Sequence, residues 1–221
     1  SVAERLGVSS ATVRRDISLL DRDGRLQRVR GGALLGEATE PSFADVAVTH
    51  PESKDRIARH AAALVPDGAV VLCDIGTSVH RVVVHLHGRR LTVVTSNLAV
   101  YEELIDDEDI ELVLLGGQVR RNYRSMVGFL TEEALTQVNA DLLFLGTSGV
   151  LDTTTIEVPV KRAMLRAADR TVLVADRSKF PGTGLARVCG PESLHTVVTD
   201  ADADPATLKA FRDAGVELIA G

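Results

Sequence analysis

Apolar residues Val13, Ile17 and Leu20 recur at i, i+4 and i+7 behind a pair of serines. That spacing predicts a helix with one buried stripe, capped by the hydroxyl of Ser9 or Ser10. Ahead of it, Val2, Ala3 and Leu6 share a face, which predicts a first helix over residues 1–6 that Gly7 ends before a tight turn at Val8-Ser9. Asp23-Gly24 is a turn signal, the pattern then alternates over 25–29, and Arg30-Gly31-Gly32-Ala33 reads as the tip or far side of a hairpin. Helix, tight turn, helix, hairpin is the order of a winged helix-turn-helix. Residues 36–51 hold two prolines and little periodicity and read as a linker with one short helix.

From residue 52 the texture is regular. Strands are predicted over 70–73, 91–95, 111–115, 142–145, 171–174, 196–199 and 216–219, and helices over 53–64, 78–86, 98–104, 131–138, 159–168 and 205–214. The runs AVVLC, LTVVT, LVLLG, LLFLG and TVLVA suit strands buried on both faces. Strands alternating with helices indicate an α/β domain with a mostly parallel sheet. The expected organisation is a DNA-binding domain over 1–35, a linker over 36–51 and a larger domain over 52–221.

Composition places the 221-residue chain among globular proteins, with 45% hydrophobic and 25% charged residues. No apolar run is long enough to cross a membrane, and the first residues lack a signal-peptide pattern. Cys73 and Cys189 have no metal-site spacing, and Cys73 reads as a buried thiol, so a reducing cytoplasmic setting is expected. Net charge is −6, but it is unevenly spread: residues 1–36 carry seven arginines against four acids, the remainder 18 basic against 27 acidic residues. Only the basic head is suited to a polyanion.

A recognition helix needs short polar side chains and arginines near its N-terminus, turned from the core. Ser9, Ser10, Thr12, Arg14, Arg15 and Ser18 meet that need, with Arg28 and Arg30 as wing contacts to backbone or minor groove. The bland alternative is a solvated basic face. In the larger domain three strands end in small polar loops: Asp74-Ile75-Gly76-Thr77-Ser78, Thr95-Ser96-Asn97 and Gly116-Gly117. Ligands of open α/β sheets sit outside the carboxyl ends of strands, and a helix starting there presents free N–H groups and a positive dipole end to a phosphate. The alternative is ordinary capped strand–helix turns. Lys161 could partner such a phosphate or pair at the surface with Glu157, one turn away; Lys179, near Asp176, could do the first or be a plain loop charge. His80, His85 and His87 lack further ligands, so neither a metal site nor a cofactor is expected, and no catalytic set emerges.

These residues together resemble the DeoR/GlpR-type bacterial repressors. The head carries ATVRRDI, a leucine pair, a glycine and RVRGGA; the body carries DIGTS, VVTSN, LLGG, SMVG, FLGTSGV, EVPVKRAM, ADRSKF and AGVELI in that family's order. The resemblance implies a winged helix-turn-helix, here lacking its first helix, joined to a Rossmann-like sensor domain similar to ribose-5-phosphate isomerase and CoA transferase folds. It implies operator DNA as partner, a homodimer or homotetramer, and a phosphorylated sugar or related metabolite as effector. Carried over by motif, Asp74, Gly76, Thr77 and Ser78 would hold phosphate or hydroxyls, Thr95, Ser96, Asn97, Gly116 and Gly117 would line the same cleft, and Lys161, Asp176 and Lys179 would close it. The segment after Val150 is short for the family, and Val46 stands where the family carries a basic residue. The expectation is a ligand-controlled repressor and not an enzyme; the alternative is a sugar-phosphate isomerase-like enzyme, and fold alone does not separate them.

Overall fold

A computed structural model describes residues 9–22, 26–29, 32–35, 42–147, 157–180, 188–200, 203 and 205–221. The chain divides into two units, Ser1–Pro41 and Ser42–Gly221. In the first, helix α1 spans Ser10–Arg22. Its start is set by Ser9, whose Oγ accepts the Thr12 amide at 3.1 Å and whose carbonyl accepts the Val13 amide at 3.1 Å. Of the two serines, Ser9 is therefore the cap. Val13 and Ile17 are half-buried, while Ala11, Thr12, Arg15 and Asp16 are exposed. Strands β1 (Leu26–Val29) and β2 (Gly32–Leu35) form an antiparallel ribbon that pairs Leu26 with Leu35 and Val29 with Gly32. The helix predicted over 1–6 and the hairpin tip at Arg30-Gly31 lie outside the described residues.

The second unit opens with α2, Phe43–Ala47. Ser42 and Asp45 cap it reciprocally: Ser42 Oγ accepts the Asp45 amide and the Asp45 carboxylate accepts the Ser42 amide. Phe43 is buried and meets the edge of His80 with ring centroids 5.7 Å apart. The later part of the stretch read as linker thus packs into the body, because the buried Phe43 anchors it there.

Next come α3 (Pro51–Ala62), β3 (Val70–Cys73), α4 (Thr77–Val84), β4 (Leu91–Thr95), α5 (Leu98–Leu104) and β5 (Ile110–Leu114). A small antiparallel hairpin follows, β6 (Gln118–Arg120) and β7 (Ser125–Val127), which the hydrophobic pattern does not reveal. The chain continues through α6 (Phe129–Leu135), β8 (Ala140–Gly146), α7 (Val158–Arg166), β9 (Ala168–Val174), β10 (Thr196–Thr199), α8 (Pro205–Asp213) and β11 (Glu217–Ala220).

Seven strands make one parallel sheet in the order β11-β10-β9-β8-β3-β4-β5. Because strand side chains alternate, each strand feeds two cores. Val71 and Cys73 join Ile57, Val79, Val82 and Leu104 of α3, α4 and α5 on one face. Leu72 joins Leu135, Met164 and Phe211 of α6, α7 and α8 on the other. One strand departs from expectation. The run LVLLG predicts burial on both faces, but β5 ends the sheet, and Val113 and Leu114 are 39% and 37% exposed. Position in the sheet, not strand composition, decides that.

Histidines at and beyond α4 meet acids at and beyond α5: His80 Nε2 lies 3.3 Å from Glu103, and His87, just past α4, reaches Glu103 at 3.0 Å and Asp107 at 2.8 Å. The Glu103 hydrogen bond and then Asp107 hold His87 above its ordinary value near 6.5, whereas burial holds His80 below it. The stability from His87 is complete below the unfolded value and is lost as pH rises through its raised folded value; that from His80 is complete above pH 6.5 and is lost as pH falls toward its lowered value. Relative to the unaltered protein, His87→Gln is therefore expected to lose the gain in thermal midpoint that appears as pH falls toward 6.5 and to leave the loss below pH 6.5 intact. Thermal melts across that range check it, and an unaltered limb above pH 6.5 would remove His87 from the account.

Candidate functional site

Strand order reverses between β3 and β8, and in open parallel sheets the crevice at such a reversal is where ligands bind. Asp74 follows β3 there and Gly146 ends β8. The Asp74 carboxylate, fully buried, accepts through Oδ2 from the Gly146 amide at 2.9 Å and from the Lys161 ammonium, which also donates to the Gly146 carbonyl at 3.1 Å. Asp74 Oδ1 is buried with no partner among the described residues. Lys161, on α7, is itself 6% exposed. Glu157, one turn before it, is buried and takes the Arg120 guanidinium instead. The surface pair of Glu157 with Lys161 does not form, because the residues stand inside the fold and each meets another charge.

Gly76 sits at φ 119°, a backbone conformation that side chains disfavour, and precedes α4 without a side-chain cap. The first-turn amides of α4, with Thr77 buried and Ser78 half-buried, are thus left to a ligand or solvent.

The next loop is built differently. Thr95 Oγ1 donates to the Cys73 carbonyl at 2.8 Å and accepts the Asn97 amide at 3.0 Å. Asn97 Oδ1 caps α5 by accepting the Ala99 amide at 3.0 Å, and its Nδ2 reaches the carbonyls of Asp74 and Gly76 at 3.5 Å. These two side chains tie the loops after β3 and β4 together. Ser96 Oγ, between them, is buried and unpartnered among the described residues. Hairpin β6–β7 clamps this loop: Met126 donates to the Ser96 carbonyl at 2.8 Å, Leu98 donates to Arg124 at 2.7 Å, and Ser125, opposite Asn97, is buried with an unpartnered hydroxyl. Gly116 accepts Thr131 Oγ1 at 2.7 Å. At Gly117 a Cβ would stand 2.7 Å from the Val127 carbonyl and closer still to Thr131 Oγ1, so packing of α6 accounts for that glycine.

After β9, Asp176 Oδ1 accepts the Ser178 amide at 3.0 Å and the Ser178 hydroxyl, while Oδ2 is buried and unpartnered among the described residues. Thr199 Oγ1, at the end of β10, is in the same state. Here the structure adds a residue the sequence reading passed over. Lys54, on α3, is 2% exposed, and its ammonium donates to the Val46 carbonyl and to Thr49 Oγ1, the latter at 3.3 Å. Burial pulls it down to about 8; the charge of Asp176 opposes this, and those of Lys179 and Arg81 add to it. Lys54 therefore shares its surroundings with Asp176, Lys179 and Arg81. Its signal was its place at spacing 54, 57, 58, 61, on the buried stripe of α3 with Ile57, Ala58 and Ala61. Cys73 lies buried under the Asp74 loop with its thiol pushed well up, an inert packing residue.

In the other unit, Ser9 and Thr12 are exposed at the start of α1 and bonded to each other at 2.8 Å; Arg15 is exposed and Ser18 half-buried on the same helix. Ser10 and Arg14 belong to α1 and Arg28 to β1, and Arg30 lies outside the described residues.

Removing one partner of a buried pair strands the other charge. Lys161→Met is expected to cost about 3–5 kcal/mol in urea unfolding, and adding Asp74→Asn to recover most of that loss. Additive losses in the double variant would mean the pair does not act as a unit.

Residues 49–201 match the DeoR C terminal sensor domain, and residues 1–39 match the DeoR-like helix-turn-helix domain. The chain is 31% identical over 222 residues to the transcriptional regulator GolR of Listeria innocua, covering 96% of this chain and 87% of that protein. It is 31% identical to the glycerol-3-phosphate regulon repressor of Escherichia coli (98% and 89%) and to the repressor GlcR of Bacillus subtilis (97% and 86%). Among solved structures, the full-length sorbitol operon regulator SorC of Klebsiella pneumoniae aligns with a TM-score of 0.45 at 13% identity, over 91% of this chain and 90% of that one. With both domains matched in order over most of its length, the chain belongs to the DeoR family of transcriptional regulators.

Proposed function

We propose that the protein represses genes of sugar or related carbon metabolism and releases or engages its operator in response to a small phosphorylated metabolite held at the carboxyl ends of the parallel strands. The observation that carries this reading is a set of buried polar atoms at the carboxyl ends of the strands with no partner among the described residues, Asp74 Oδ1, Ser96 Oγ, Ser125 Oγ, Asp176 Oδ2 and Thr199 Oγ1, together with buried Lys161 on Asp74 and buried Lys54 in the field of Asp176. Unpaired buried polar atoms are costly and call for a ligand or water. Hydroxyls of a sugar would donate to the two carboxylates and pair with the two serines. The phosphate would take the uncapped first turn of α4, with Thr77 and Ser78, and the cationic side made by Lys54, Lys179 and Arg81. Thr95 and Asn97, whose groups are engaged internally, would position the loops. Lys161 would hold the Asp74 carboxylate in place.

The relatives support the regulatory half. They are named as transcriptional regulators or repressors, one of them of a glycerol-3-phosphate regulon, and the basic head, which an isomerase-like enzyme would not require, points the same way. Ser10, Thr12, Arg14 and Arg15 on α1 would face the major groove and Arg28 and Arg30 the wing contacts, in a homodimer or homotetramer whose symmetry matches paired half-sites.

Two measurements test this. A thermal-shift panel pairing each sugar phosphate with its free sugar should show a shift of several degrees for one phosphorylated compound alone, since a ligand at about 100 times its dissociation constant adds about 2.7 kcal/mol. That compound should then change operator affinity; equal affinity with and without it would sink the regulatory reading. In operator binding, Arg15→Ala should weaken affinity by about 1–3 kcal/mol, with a flatter salt dependence if its contact is a phosphate.

A further inference from the structure

Helix α2 has five residues, far fewer than a helix needs to persist in water by its own hydrogen bonds. It therefore depends on what holds it. At one end are the Ser42–Asp45 cap, the Phe43 amide donating to the Asn122 carbonyl at 2.7 Å, and the Phe43 ring against His80. At the other end everything converges on one acceptor. The Val46 carbonyl receives the Thr49 amide at 3.2 Å, the Thr49 hydroxyl at 2.7 Å and the Lys54 ammonium.

Lys54 is an unusual donor for that task. It is a buried cation whose hydrogen-bond partners among the described residues are two neutral oxygens, Val46 O and Thr49 Oγ1. The charges acting on it are one acid, Asp176, against two cations, Lys179 and Arg81. A buried ammonium gains more from an anion than from a neutral carbonyl. By chain order, α2 is also the first element of the body that the connection from the DNA-binding unit reaches.

We propose that Lys54 is a latch: its ammonium holds the C-terminal carbonyl of α2 when the anion site is empty and turns to the ligand's anion when it is filled, freeing α2. The proposal rests on the anion site proposed above and specifies how that site is read out. The ligand's preference for the unlatched state is the differential affinity that any such switch requires. Without this end, the five-residue helix rests on the Phe43 anchor alone, too little to keep it folded; its loss lengthens the tether between the units and weakens the hold on an operator. Linkage makes the effect reciprocal, so anything that weakens the latch must tighten anion binding by the same factor.

Hydrogen exchange read by mass spectrometry on the full chain tests this, with inorganic phosphate and glycerol 3-phosphate as probes and a thermal shift as the separate sign of binding. In the unaltered protein, a probe that binds should speed exchange of the Val46 and Thr49 amides by about fivefold or more. Lys54→Met should show fast exchange there without any probe and no further response. Thr49→Val, which removes a neutral partner and no charge, should speed exchange partway and tighten probe binding about two- to fivefold. A probe that raises the thermal midpoint but leaves residues 42–50 unchanged or slower overturns the latch and leaves the anion site standing. So does Thr49→Val exchanging faster without tighter binding. No thermal shift with either probe overturns the anion site, and the latch with it.

Discussion

A carboxylate with no solvent exposure at the point where the sheet reverses direction is a constraint the rest of the sensor unit answers to. Asp74 joins β3 to α4, and its charge is tolerable there only because Lys161 and the Gly146 amide meet it. Those partners come from α7 and from the end of β8, so one side chain binds together three elements far apart in the chain. Gly146 must lack a side chain for this to fit, since a Cβ there would stand 2.7 Å from the Ile75 carbonyl. The other oxygen of Asp74, Oδ1, is buried with no partner among the described residues.

Around that point the polar residues divide into those already satisfied and those that are not. Thr95 and Asn97 spend their hydrogen bonds on neighbouring loops, and Glu157 and Arg120 on each other. Asp74, Ser96, Ser125 and Asp176 each retain a buried atom without a partner among the described residues. The first group is tied down and the second is not, a division that residue type alone does not reveal. Lys54 stands between the two, satisfied by neutral oxygens and flanked by charges.

Much of this was legible in the residue pattern. The strands over 70–73, 91–95 and 196–199 and the helix over 98–104 emerge at their observed bounds, because buried parallel strands and amphipathic helices announce themselves by period. The basic head, the capped α1 and the polar loops at the strand ends were equally visible, since caps and turns use few residue types for local reasons. Hairpin β6–β7 was not, because its three-residue strands are too short to establish a period.

The sequence by itself thus determined the local matters: which segments become strands and helices, their order, and which end of the sheet collects small polar residues. Tertiary structure alone decided who meets whom. It sent β5 to the edge despite its apolar run, paired Lys161 with Asp74, 87 residues away, in place of Glu157 one turn off, and buried Lys54 against Val46. The physical reason is range. Periodicity, capping and turn chemistry act over a few residues and are written in the local string, whereas burial and charge pairing depend on neighbours that only the folded sheet brings together.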